Sequence, residues 1–149
     1  MVKDGNMAKN IKQIKYDTMY MDIAKRISDM SYDEDTKVGA VIVKDGNIIS
    51  MGWNGTPSGF PNDCKNPNTG ITLPYVIHAE ANAICKLARD GGSGLGATLY
   101  TTLSPCMECT KLILQSGIKE VVVYKGEEKY LDAFKILNEK EMIRQHKTD

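Results

Sequence analysis

Two short segments of this chain carry the residue types from which a hydrolytic metal site is made. One is His78-Ala79-Glu80 and the other is Pro105-Cys106-Met107-Glu108-Cys109. A histidine and a Cys-x-x-Cys pair supply three zinc ligands, and a catalytic zinc keeps its fourth position for water. Glu80 stands two residues beyond His78, so on a helix it need not point at the metal with it and is left to carry protons. Zinc lowers the pKa of its water to about 7, which puts hydroxide beside that carboxylate at neutral pH. Such a pair replaces an exocyclic amine with oxygen, so the expected chemistry is hydrolytic deamination.

The elements around these residues are of a kind that would hold them. Apolar positions Met19, Ile23, Ile27 and Met30 recur at three- and four-residue steps and predict a helix from Tyr16 to Ser31, after a flexible or partly helical arm at 1–13. Val38 to Val43 is a near-continuous apolar run, suited to a strand buried on both faces. The Asp45-Gly46 turn joins it to a second strand, Ile48 to Trp53, as a hairpin. Asn54 to Pro74 is a long Gly-, Pro- and Asn-rich loop, and loops of that length are usually functional. Helices are predicted at 79–89, stopped by Gly91-Gly92, and at 106–115, with Pro105 in the first turn and Gly117 past the end. Strands follow at 97–102 and 121–124, a helix at 130–137 and a last edge strand at 141–146. A helix start favours thiolate, because its free N–H groups and dipole stabilise negative charge, so Cys106 and Cys109 sit where deprotonation is easy.

Composition narrows the class. The chain has 149 residues, a length for one domain spanning 1–149, and 42% hydrophobic residues, enough for a real core. Formal net charge is zero, which speaks against a partner that is nucleic acid but leaves room for a small anionic substrate. No run approaches a membrane span, and the polar start does not read as a signal peptide. The four cysteines, Cys64, Cys85, Cys106 and Cys109, are expected to be reduced thiols in a cytoplasmic protein. Cys64 is read as a plain thiol and Cys85 as a core residue.

A lone Cys-x-x-Cys is equally half of a structural zinc site or a redox pair. Joined to His-x-Glu it forms the signature of the zinc nucleobase deaminases. The chain resembles the cytidine/deoxycytidylate deaminase superfamily from about Thr36 to Tyr124. The matching blocks are Thr36 to Val43, Gly52-Trp53-Asn54-Gly55-Thr56-Pro57-Ser58-Gly59, Tyr75 to Ile84, and Pro105 to Cys109. The Gly52–Gly59 loop and the long insert after it are most similar to the deoxycytidylate (dCMP) deaminase branch. The resemblance implies an α/β fold, a three-layer α/β/α arrangement with a five-stranded mixed sheet. It implies zinc on His78, Cys106 and Cys109, Glu80 as acid and base, and dCMP as substrate. It further implies Asn54 on the sugar, the Ala79 backbone N–H on the cytosine carbonyl, and Lys37 and Ser31 near the phosphate. Tyr130 is read either as a lid over the base or as a core residue. Arg89 and Gly55 are the corresponding effector positions for dCTP or dTTP with Mg2+, in a homo-oligomer that is a hexamer in the family.

Other readings stay open at this point. A deaminase of the same superfamily acting on dCTP, cytidine or tRNA adenosine shares the ligand set, although a tRNA enzyme would have a shorter path to the histidine and a basic surface. A structural-zinc binding module would need a closed four-ligand site and would have no use for Glu80.

Overall fold

The computed structural model describes residues 3–148, with side chains from Asn10 onward. Helix α1 spans Lys3–Ser28 and is followed by strands β1 (Gly39–Lys44) and β2 (Asn47–Trp53). Helix α2 is Ala79–Arg89, β3 is Thr98–Leu103, α3 is Met107–Gln115 and β4 is Glu120–Lys125. A 3-10 turn, Glu127–Tyr130, leads into α4 (Leu131–Glu139) and then β5 (Ile143–Gln145).

The strands form one sheet in the order β2-β1-β3-β4-β5. β1 is antiparallel to both neighbours, whereas β3, β4 and β5 run parallel, so the sheet is mixed as expected. Side chains alternate across it. Ala40 and Ile42, with Leu99, Val121 and Val123, pack under Ala83 and Leu87 of α2, Ile113 of α3 and Leu137 of α4. Val41, Val43, Tyr100 and Val122 face the other way, onto Tyr20, Met21, Ala24 and Ile27 of α1. Burial on both faces explains the unbroken apolar run in β1. The hairpin turns at Asp45 and Gly46 with φ of 51° and 77°, the positive values that an Asp-Gly turn adopts.

The structure corrects several sequence expectations. α1 ends at Ser28 rather than Ser31; it starts at Lys3, which agrees with the helical alternative for the arm and not with the flexible one, and residues 1 and 2 of that arm lie outside the described residues. Met19 and Met30 are exposed, because the helix presents Tyr20, Met21, Ala24 and Ile27 to the sheet together with the carboxylate of Asp17. β1 begins one residue after Val38, and β3 at Thr98. α3 starts at Met107 with Cys106 as its N-cap, which leaves Pro105 outside the helix. Tyr130 belongs to the 3-10 turn and not to α4. Cys85 is exposed and not in the core, since α2 buries Ala79, Glu80, Ala83 and Leu87 on its opposite side.

Asp17 forms a polar centre that the apolar pattern did not show. It is 2% exposed and receives hydrogen bonds from Tyr100 Oη (2.6 Å), Gln13 Nε2 (2.8 Å) and Arg144 Nη1 and Nη2 (2.6 and 3.0 Å). Arg144 also reaches Glu120 at 3.0 Å. Burial acts to raise the Asp17 pKa, but the hydrogen bonds and the guanidinium charge outweigh it and hold the carboxyl below its ordinary value.

Candidate active site

The candidate site lies where the end of β2, the start of β1 and the end of β3 meet the first turns of α2 and α3. Gly52 lets α2 approach β2: a Cβ there would stand 2.5 Å from Ala79 O and 2.6 Å from Ala83 N. Asn82 Nδ2 donates to Trp53 O at 2.9 Å and Ser50 Oγ to Ala83 O at 2.7 Å, fixing the helix on the strand. The Lys86 ammonium covers the Trp53 ring at 4.2 Å.

Two of the three expected ligands occupy N-cap positions. His78 caps α2 and Cys106 caps α3, both with extended backbone and neither with a side-chain cap bond. Their side chains are thereby free to face each other. His78 Nδ1 stands 3.4 Å from Cys106 Sγ and 3.4 Å from Cys109 Sγ. Bonds of about 2.3 Å to sulfur and about 2.0 Å to nitrogen give a zinc tetrahedron an S···N edge of roughly 3.6 Å, so the three residues already fit the ion. Among the described residues they are the one group of His, Cys, Asp or Glu close enough to share a metal. Cys64 lies apart, buried in the insert loop, with Sγ near Asn62 O.

The electrostatics fit a metal centre. Cys106 is held well below the ordinary thiol range, first by its hydrogen bond with Cys109 and then by that with His78, burial acting against both. Cys109 is pushed above the ordinary thiol range, because the neighbouring sulfur holds its proton and burial adds to this. Zinc binds thiolate, so uptake of the ion by this pair would release thiol protons. Hydrogen bonding to Cys106 also raises His78, with burial opposing.

Glu80 is 4% exposed and faces the cavity beside this triangle. Burial pushes its carboxyl up to about 7, while its own backbone N–H and the His78 charge act to lower it. An acid–base group works best with a pKa near the operating pH. The cavity encloses about 180 Å³, and Ala79, Asn54, Ser104, Lys129 and Tyr130 are among its walls. Lys65 and Thr72 of the long insert, with Val76 just beyond it, also line the cavity, so that loop is part of the site. Ser104 Oγ is buried there without a protein partner.

Of the expected contact residues, the structure brings Asn54, Ala79 and Tyr130 to this cavity. Asn54 also braces the chain: Oδ1 accepts from Val38 N at 2.9 Å and Nδ2 donates to Thr36 O at 2.8 Å. Ser31 is not at the cavity; its hydroxyl donates to Asn54 O at 2.8 Å and accepts from Asp33 N. Lys37 lines an adjoining groove of about 840 Å³. Gly55 and Arg89 meet on the far side of α2, around a hollow of about 350 Å³ with Trp53 and Lys86.

Residues 14–125 match the family profile described as the cytidine and deoxycytidylate deaminase zinc-binding region. The chain belongs to this deaminase family. It is 39% identical to the deoxycytidylate deaminase of Enterobacteria phage T4, the match covering 68% of this chain and 74% of that protein. It is 35% identical to the human deoxycytidylate deaminase, over 80% of this chain and 69% of that one. Among solved structures, the dCMP deaminase of cyanophage S-TIM5 in complex with dCMP and dUMP superposes with a TM-score of 0.79 at 38% identity. That match covers 93% of this chain and 97% of the other. The chain is thus an enzyme of the zinc-dependent deaminase class, with a three-layer α/β/α architecture. Among the described residues no helix is long and apolar enough to cross a membrane.

Proposed function

We propose that this chain converts dCMP to dUMP and ammonia by hydrolysis, supplying dUMP for thymidylate synthesis. One observation carries the reading: the ligand atoms of His78, Cys106 and Cys109 stand at zinc-edge spacing beside a small cavity whose wall includes the buried carboxyl of Glu80. His78, Cys106 and Cys109 would hold zinc, which would make water available as the nucleophile at neutral pH by lowering its pKa to about 7. Glu80 takes the proton from the attacking water and gives it to ring N3 as C4 becomes tetrahedral; it then carries the proton of the new C4 hydroxyl to the amine, so that the carbonyl forms as the C4–N bond breaks and ammonia leaves. The first N–H groups of α2 have no partner within the helix, and that of Ala79, at the cavity wall, would meet the cytosine carbonyl. The Asn54 amide keeps one N–H and one lone pair beyond its backbone bonds, enough for the sugar hydroxyl. Tyr130 covers the base at the rim, Lys37 stands on the phosphate side, and Ser31 supports Asn54 from behind.

The same reading extends to regulation. Arg89 and Gly55, together with the Lys86 ammonium, form a hollow suited to an effector triphosphate such as dCTP or dTTP with Mg2+. The enzyme is read as a cytoplasmic homo-oligomer, a hexamer as in its family, and its four cysteines are free thiols.

The test is ammonia release or loss of ultraviolet absorbance with dCMP, CMP, dCTP, deoxycytidine and a tRNA anticodon stem, each with and without dCTP and dTTP as effectors. The expected result is preferred turnover of dCMP. Turnover confined to the tRNA stem, or zinc bound with no turnover of any substrate, overturns the proposal.

A further inference from the structure

The substrate reading leaves a question of charge. A nucleoside monophosphate brings about two negative charges to a site whose own ionisable wall includes Glu80 and Asp33. Among the described residues, the lysines lining the catalytic cavity are Lys65 and Lys129, and no arginine joins them. Lys65 is already paired with Asp35 at 3.3 Å and Asp33 at 3.8 Å. Asp33 is further satisfied by the backbone N–H groups of Asp35 and Thr36. Lys129 has a different environment. Its ammonium stands 5.4 Å from the centre of the Tyr130 ring and makes no ion pair within 4.0 Å among the described residues. Its position is also distinctive: Lys129 lines both the catalytic cavity and the larger groove outside it. Thr36, Val38 and Leu103 are shared by the two in the same way, so the cavity opens into the groove beside Lys129. The groove carries charges of both signs: Lys25, Arg26, Lys37 and Lys125 line it with Lys129, and so do Asp22, Asp29 and Asp35.

We infer that Lys129 is the ligand of the substrate 5′-phosphate and the residue that makes the site select a nucleotide over a nucleoside. This rests on the dCMP reading of the same cavity. With the base at Glu80 and the sugar at Asn54, the 5′ end leaves the cavity through the opening that Lys129 flanks. An ammonium without a carboxylate partner meets a phosphate there without first breaking an ion pair. Tyr130, the next residue, lies over the base, so one short turn after β4 would hold both ends of the nucleotide.

Steady-state kinetics of the zinc-loaded enzyme with dCMP and deoxycytidine, for wild type, Lys129→Ala and Lys129→Arg, test this directly. A hydrogen bond to a charged group is worth about tenfold to a hundredfold in affinity. Lys129→Ala should raise KM for dCMP by about that factor while kcat stays within about threefold, and deoxycytidine should be used as before. Lys129→Arg should restore most of the dCMP affinity. If deoxycytidine turnover is too slow to follow, the ratio of inhibition constants of dUMP and deoxyuridine reads the same preference. Equal losses on nucleotide and nucleoside, or an unchanged KM for dCMP, overturn the assignment. A wild-type enzyme inactive on dCMP overturns the substrate reading instead, so the two failures are distinguishable.

Discussion

At the scale of single residues, the proposed mechanism divides the labour between three side chains that would hold the metal and one, Glu80, that would move protons. His78 and Cys106 stand at N-caps, and Cys109 and Glu80 lie in the first turns of the same helices, where backbone N–H groups face the sulfurs. Glu80 is not among the residues that share the metal position. Glu80→Gln keeps the shape and removes the proton carrier. It should retain one zinc per chain by elemental analysis and lose about 10²–10⁴-fold in kcat on dCMP. Retention of turnover within tenfold of wild type would show that another group carries the protons. Cys109→Ala should do the opposite first, releasing zinc, because removing one of three ligands leaves a site that no longer competes for the ion.

At the scale of elements, the site is only as good as the seating of α2 on β2. The cavity is small, and a shift of α2 by a few tenths of an ångström moves His78 and Glu80 together. Gly52→Ala puts a methyl against the backbone of Ala79 and Ala83, atoms that cannot rotate out of the way. The expected result is a stability loss of about 1–3 kcal/mol in chemical denaturation, together with weaker zinc retention in competition with a chelator. A variant as stable as wild type and equally retentive would mean that α2 is not fixed by this contact. The gathering of His78 with Cys106 and Cys109, the hairpin and the succession of helices and strands along the chain were legible in the sequence, because each depends on residue type and short spacing. What was not legible depends on distant contacts. The apolar spacing of α1 includes Met19 and Met30, which the fold leaves exposed, and it omits Asp17, which is buried by partners 83 and 127 positions away. Cys85 was misplaced because an apolar neighbourhood in sequence does not say which side of α2 faces the sheet. Lys129 carried no signal at all; it is one lysine in a charged turn until the fold brings that turn to the mouth of the cavity.

At the scale of the whole molecule, two polar centres tie the three layers from opposite sides of the sheet. The metal site joins α2 to α3 on one face, and Asp17 with Arg144 joins α1 to β5 on the other. They share no partner, so their contributions to stability should add within about 0.5 kcal/mol. Each also has its own pH signature. Zinc affinity falls in mild acid, since its ligands must lose protons to bind. The Asp17 contribution runs lower. Its folded pKa is depressed, so its stabilisation is fully present above the unfolded value of about 3.9 and is lost as pH falls through the lower folded value. Urea denaturation of chelated protein should therefore show a fall in stability below about pH 4 that is shallower in Asp17→Asn than in wild type. At pH 7, Arg144→Met should cost about 3–5 kcal/mol, because it strands a buried carboxylate, and adding Asp17→Asn should recover part of that loss. Chelation should lower the midpoint of each of these variants by the same increment as in wild type. An increment that shrinks in the Arg144 variant would mean that the sheet transmits strain between its faces, and that the two centres act as one.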